Sequence, residues 1–279
     1  SKGNYDTEVA YMGYRTRVME NIVDESKQIT PGRGILSATS INLPRLGIKN
    51  GISINGKANI DNFFKELEEK LDLVKDQLLE RFEMQCSKKV YNFPFLLGQG
   101  LWIDSEKLKD TDNLRKVLKH GTMSIGFTGL AECLKALTGK HHGESEEAQE
   151  LGLKIISFMR EKCDRYSEKY NLNFCLAATP STNLTSELIK MDQAIYGKIK
   201  NITDKEIYTD SFQLPKDYKI SIEEKIKIEA PYHKLTNGGH IIEIAIEENA
   251  KKDDFMKIIE LMKNYDIGCG IIYRAKVDN

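Results

Sequence analysis

The chain has 279 residues, 40% of them hydrophobic, enough to bury a sizeable core in one large domain or two small ones. Its 41 basic and 42 acidic residues leave a formal net charge of -1, so bulk electrostatics offers no case for direct nucleic-acid binding or for an anionic membrane. No apolar run approaches the roughly 20 residues that span a bilayer, and no signal peptide opens the chain. The five cysteines (Cys86, Cys133, Cys163, Cys175, Cys269) include no C-x-x-C pair, which argues against a disulfide framework or a cysteine metal site and makes a reducing cytoplasm the expected compartment.

The first thirty residues carry no long periodic run, and Thr30-Pro31-Gly32 with Gly34 reads as a loop. Ser37 to Leu43 alternates small polar with apolar residues and closes on Pro44, which predicts a buried strand. Asn50-Gly51 and Asn55-Gly56 mark turns. From Asp61 to Cys86, Phe63, Phe64, Leu67, Leu71, Val74, Leu78 and Phe82 recur at helical steps between charged faces. Pro94, Gly98 and Gly100 make Val90 to Gly100 a loop or an interrupted strand. A helix is expected from Ser105, as its cap, to Lys119.

His120 to Phe127 reads as a glycine-bounded strand, followed by a helix through Leu137 that Gly139 stops. Glu144 to Tyr170 is a second long helix and Leu172 to Ala178 a compact strand. Leu184 to Met191 is helical, Ile207 to Phe212 strand-like, Ser221 to Ile228 a helix start, His240 to Ile246 a strand, Asp253 to Asn264 a helix and Ile267 to Tyr273 a closing strand. Strands separated by long helices predict α/β units on a mostly parallel sheet or barrel, with no linker to divide residues 1–279 into domains.

Thr179-Pro180-Ser181-Thr182-Asn183 is the best ligand candidate on physical grounds. A hydroxyl-rich turn between a strand's end and a helix's start presents free N–H groups and a positive dipole end, which suit phosphate; an ordinary helix cap explains the same residues without a ligand. His120-Gly121-Thr122 lets backbone approach a ligand or a helix closely. His141-His142 reads as a surface turn, and Pro231-Tyr232-His233 with Asn237-Gly238-Gly239-His240 as structural turns. Arg15, Arg17, Glu20 and Asn21 are dense enough to hold a loop's shape by hydrogen bonds. Cys133, Cys163 and Cys175 read as small core residues.

Several stretches, in order along nearly the whole chain, resemble one family. They include Tyr11-Met12-Gly13 with Arg15-Thr16-Arg17-Val18, Gly32-Arg33-Gly34, Thr39-Ser40-Ile41-Asn42-Leu43-Pro44-Arg45 and His120-Gly121-Thr122. Gly129-Leu130-Ala131-Glu132, Ala178-Thr179-Pro180, Tyr208-Thr209-Asp210-Ser211-Phe212, Glu229-Ala230-Pro231-Tyr232-His233 and Thr236-Asn237-Gly238-Gly239-His240 continue the match. The family is the large catalytic subunit of the anaerobic (class III, glycyl-radical) ribonucleoside-triphosphate reductases.

The resemblance implies part of a ten-stranded α/β barrel of the ribonucleotide reductase and glycyl-radical enzyme type, with a finger loop over about residues 8–36. It implies reduction of ribonucleoside triphosphates, started by a glycyl radical that oxidises a loop cysteine to a thiyl. A radical-SAM activating protein, formate or a thiol reductant, and zinc in a C-terminal part belong to the same picture. Thr179 to Asn183 falls where the family's Thr-Pro loop meets the substrate's phosphates, and Ser37, Thr39, Ser40, Asn42, His120 and Thr122 become candidate substrate-pocket residues.

The departures are specific. The family writes Met-Gly-Cys-Arg-Thr-Arg, and Tyr14 stands at the cysteine. A phenol has a different reach and cannot simply replace a thiol that abstracts a ribose hydrogen. Ile35 stands where many formate-dependent members carry asparagine, and Ser181-Thr182 where the loop often reads Ala-Glu. Compared with the family's length, the chain is expected to be a barrel fragment without the regulatory and glycyl-radical parts, inactive alone and self-associating through unpaired strand edges. A non-catalytic nucleotide-binding or assembly module is the alternative.

Overall fold

In the computed structural model, residues 16–178 and 182–274 are described. Strand β1 (Ile35–Asn42) ends where the Asn42 side chain accepts the backbone N–H of Arg45 at 3.3 Å. That cap starts α1 (Leu43–Asn50), with Pro44 in the first turn, where its missing N–H leaves no partner unsatisfied. A short α2 (Ile52–Asn55) leads to α3 (Ile60–Cys86), which buries Phe63, Leu67, Leu71 and Leu78 on one face as the periodicity predicts.

After α4 (Arg115–Leu118) come β2 (Thr122–Thr128), α5 (Leu130–Thr138), α6 (Glu146–Tyr170), β3 (Asn173–Ala177) and α7 (Thr182–Tyr196). Ser145 caps α6, Gly139 ends α5 in the left-handed region, and Asn171 does the same for α6. The chain closes with α8 (Ile222–Leu235), β4 (Ile242–Ile246), α9 (Lys252–Asn264) and β5 (Gly270–Arg274).

Strands β1, β2 and β3 form one parallel sheet in that order, and β4 and β5 pair in parallel as a second. Each parallel step needs a crossover, which α3, α6 and α9 help to supply. Ile41, Met123, Ile125, Phe127, Phe174 and Leu176 face α3, α5 and α6 and share one apolar core with them. A smaller cluster joins Ile226 and Ala230 of α8 to Ile242, Ile244, Ile246, Ile258 and Ile267. Among the described residues no helix is long and apolar enough to cross a membrane.

The structure corrects several expectations. The helix expected over Ser105 to Lys119 is a 3₁₀ turn (Ser105–Lys107) and, separately, α4. Asp104 has a φ of 62°, and the Lys109 N–H donates to the Asp112 carboxylate in a side-chain turn that competes with helix. Ile207 to Phe212 joins no sheet, because its polar groups bond to the start of α5 instead of a ladder. β1 is only partly buried, with Ala38 and Ser40 exposed. His141 and His142 are each 2% exposed rather than in a surface turn. His142 Nε2 meets the Phe212 carbonyl at 2.8 Å, and His141 Nδ1 accepts the Gly143 N–H at 3.0 Å. Pro231 to His233 lie inside α8, not in a turn.

Candidate functional site

The carboxyl ends of β1, β2 and β3 converge in register, with Asn42 opposite Thr128, Ser40 opposite Gly126 and Gly126 opposite Ala177. Side chains alternate along each strand, so Ile41, Phe127 and Leu176 go into the helical layer. Ser40, Asn42, Ser124, Gly126 and Thr128 share the opposite, small and polar face. Gly126 gives that face its room, since a Cβ there would collide with Ser40 Oγ. Helices α1 and α5 begin directly beyond β1 and β2, and α7 begins at Thr182, close after β3.

Two buried carboxylates tie this end together. Asp192 of α7 is fully buried. Its Oδ2 accepts Asn42 Nδ2 and the Tyr208 hydroxyl, each at 2.8 Å, and its Oδ1 accepts Arg45 Nε at 2.5 Å. Burial and the adjacent Asp192 push the Tyr208 phenol far up, so it stays a proton donor. Glu132, in the first turn of α5 and 1% exposed, accepts Lys205 Nζ at 2.6 Å and Thr209 Oγ1 at 2.7 Å. The Thr209 carbonyl then accepts the Gly129 N–H at 2.9 Å and Thr128 Oγ1 at 3.2 Å, and the Ser211 carbonyl accepts the Leu130 N–H. Residues 208–211 are therefore a strap across the β2–α5 turn, satisfying N–H groups that a helix start leaves open.

A cleft of about 690 Å³ opens beside the strap rather than at the strand ends, lined by Glu132, Lys135, His141, Glu144, Lys205 and Tyr218 among others. A second, of about 480 Å³, lies by the loop stem between Arg17, Glu20, Arg160, Asp164 and Lys234. Among the described residues no group of three or more His, Cys, Asp or Glu side chains could hold a metal ion.

The other end of the sheet holds the loop stem. Asn21 Nδ2 donates to His120 Nδ1 at 3.0 Å, and Asn173 Nδ2 lies at 3.2 Å from Asn21 Oδ1 and 3.2–3.4 Å from the carbonyls of Lys119, His120 and Gly121. Arg33 reaches the carbonyls of His120 and Met19 at 2.9 and 3.0 Å. Burial keeps His120 neutral by lowering its pKa, with Lys119 and Lys27 adding to the effect. Higher up, the Arg17 N–H donates to the Gly238 carbonyl at 3.0 Å, Gly238 N–H to Leu176 O at 2.8 Å, and Ala178 N–H to Gly239 O at 2.8 Å. The stem thus hangs on residues 237–239, which extend the edge of β3.

The expected site residues therefore separate. Ser40 and Asn42 lie at the strand ends, on the polar face. Ser37 and Thr39 turn to the helical side, where Arg81 of α3 donates to both hydroxyls at 3.2 and 3.0 Å. Ile35, His120 and Thr122 lie at the amino ends, with Ile35 opposite Thr122. Thr182 opens α7 and Asn183 is exposed in its first turn, whereas Tyr14, Thr179, Pro180 and Ser181 lie outside the described residues. Asp192, Tyr208 and Glu132 were not singled out as site residues. The available signal was an acid in the buried stripe of a helix, since Thr185, Ile189 and Asp192 share one face of α7.

Residues 1–275 match the family described as anaerobic ribonucleoside-triphosphate reductase. The chain is 34% identical over 227 residues to the anaerobic ribonucleoside-triphosphate reductase of Salmonella typhimurium, covering 80% of this chain and 30% of that protein. A solved anaerobic ribonucleotide reductase superposes with a TM-score of 0.66 at 17% identity, covering 91% of this chain and 39% of the other. The Thermotoga maritima anaerobic ribonucleotide reductase in complex with dATP and CTP gives 0.64 at 17% identity, covering 85% and 37%. The fold described above is thus part of the α/β barrel-type fold of those enzymes, and the chain spans about a third of their length.

Proposed function

Since the chain belongs to the family of anaerobic ribonucleoside-triphosphate reductases, we propose that it forms the part of such a catalytic barrel that receives a ribonucleoside triphosphate. The ligand lies at the carboxyl ends of β1, β2 and β3, its phosphates toward the Thr-Pro segment 179–183, which leads in sequence into α7. The observation that carries this reading is the convergence of three parallel strand ends and three helix starts beside the small, polar face of Ser40, Asn42, Gly126 and Thr128. The starts of α1 and α5 are already capped, by Asn42 and by the strap, so the start of α7 is the one that suits phosphate, and the small face beside it leaves room for a sugar. The dATP and CTP of the Thermotoga complex support a nucleotide as the class of ligand.

Calorimetry on this chain with CTP, ATP, GTP and UTP tests the reading. Binding of at least one, competed by inorganic triphosphate, is expected. No heat with any of the four overturns it.

The reduction step itself does not fit the thiols present. The family's radical chemistry requires a thiol near the ribose, and Tyr14 stands at that cysteine's position. Cys86, Cys133, Cys163 and Cys175 are all buried. Cys269 precedes β5, in the other sheet. A nucleotide-binding and assembly role without chemistry is therefore the reading the thiols favour. Self-association through the outer edge of β5, and engagement by a radical-SAM activating protein, belong to that assembly role. Deoxynucleotide formation by this chain with an activase and formate overturns the non-catalytic part alone.

A further inference from the structure

We propose that Asp192 is a positioning residue: through α7 it sets the place of that helix's first turn, from Thr182, relative to the ends of β1 and β2. The proposal rests on the nucleotide reading above for the ligand, but not for the mechanics. α7 buries a narrow stripe, with Thr185 at 1% and Ile189 and Asp192 at 0% exposure, while Met191 and Ile195 are 51% and 60% exposed. A helix held by so few apolar contacts can rotate and slide, because hydrophobic burial is not directional.

Asp192 removes that freedom. Its two oxygens take donors from three separate elements: Asn42 at the end of β1, Arg45 in the first turn of α1, and Tyr208 in the strap. The next residue, Gln193, donates to the carbonyls of Thr203 and Lys205, so it fixes the helix's far end to the following loop and not to the sheet. Charge-assisted hydrogen bonds are short and directional, which a leucine at the same place cannot supply. A buried carboxylate is costly unless fully paired, and here it is paired three ways. Ten residues at the helical rise place Asp192 about 15 Å along the axis from Thr182, too far to touch a phosphate held there. It acts through the helix.

The variants Asp192→Asn and Tyr208→Phe, made in this chain, test this. Asn keeps the volume but turns an amide donor toward donors, and Phe removes one bond of the three. For D192N the expected result is an affinity for the bound ribonucleoside triphosphate about tenfold weaker, with the affinity of the phosphate-free nucleoside unchanged. Amide exchange should quicken in residues 183–190 and stay as in the parent in residues 146–170. Y208F should shift both in the same direction by less, and it carries the test if D192N does not fold. A merely structural role lowers the melting temperature and speeds exchange everywhere, without separating triphosphate from nucleoside; that pattern overturns the proposal. If the parent chain binds no triphosphate, the nucleotide reading fails by itself. Exchange at the start of α7 then decides, and unchanged exchange there in both variants overturns the positioning role.

Discussion

The two parallel sheets were built from similar strands and ended in different conditions. β2 and β3 lie inside the main core, and the outer carbonyls of β1 at Leu36 and Ala38 accept Gln85 Nε2 and an Arg81 guanidinium N–H from α3. β5 closes a two-stranded sheet over a cluster of seven buried residues, and its Gly270, Tyr273 and Arg274 are exposed. Parallel pairs are stable where both faces are covered, which the first sheet approaches and the second does not. The difference agrees with the proposed site, since strand ends that hold a ligand in fixed geometry are best placed on the sheet with the larger core.

The largest test of this contrast is acid. His142, His233 and His240 sit where α8 and the turn after it join the two regions. His233 packs against Phe212 and His240, and His142 against Tyr232. Burial holds all three neutral, with pKa values lowered to about 3 for His142, about 2 for His233 and about 4 for His240. Above pH 6.5 they are neutral folded and unfolded, and their full contribution is present. Below it the unfolded chain binds protons that the fold refuses, so stability falls as pH falls toward the folded values. The three together should remove on the order of 6 kcal/mol by pH 5, much of a domain's stability. Denaturant titrations at pH 7.5 and pH 5 measure it. The β4–β5 amides should lose exchange protection at a higher pH than those of β2, and simultaneous loss in both would erase the distinction between the regions.

Core truncation comes next. Phe63→Ala opens a hole in the large core and should cost about 4 kcal/mol, lowering protection throughout β1–β3. Ile258→Ala in the small cluster should cost about 2 to 3 kcal/mol and act mainly on β4 and β5. Chemical denaturation read by exchange separates the two; equal spread from either site would mean one cooperative unit.

That same division governs how much the sequence could reveal. Long periodic patterns act locally, so α3, α6 and α9 were legible to within a few residues, as were β2 and β3. α1 was not, because Pro44 reads equally as a strand's end and as a helix's first turn, and only the Asn42 cap decides. In the strand-end region the polar alternation through Ser40 and Asn42 pointed the right way, but the bulge between Ile35 and Ser37 and the reach of Arg81 determine what Ser37 and Thr39 touch. His120, beside glycine, looked available for a ligand; its Nδ1 is taken by Asn21, ninety-nine positions away. Asp192 and Tyr208 acquire meaning only from partners that tertiary structure brings. Local code names the elements, and the pairing of buried polar groups is settled by the assembly.

The smallest effect is the most local and concerns the join itself. Gly238 lies between β3 and the loop stem, bonded to Leu176 on one side and Arg17 on the other. Its φ is not what demands glycine; space is, since a Cβ would collide with Cys175 Sγ and press on its Cβ. Gly238→Ala should therefore cost about 2 kcal/mol through overpacking. Cys175→Ala alone should cost about 1 kcal/mol for the lost sulfur contacts. In the double variant the added methyl enters the space the sulfur leaves, so the two losses should not add, and the double should be more stable than Gly238→Ala. Thermal or urea melts of the four proteins read this cycle. Simple additivity would mean that the backbone bonds to Leu176 and Arg17, and not the thiol beneath, hold residue 238 in place, and that the stem is fastened to the larger sheet by hydrogen bonds alone.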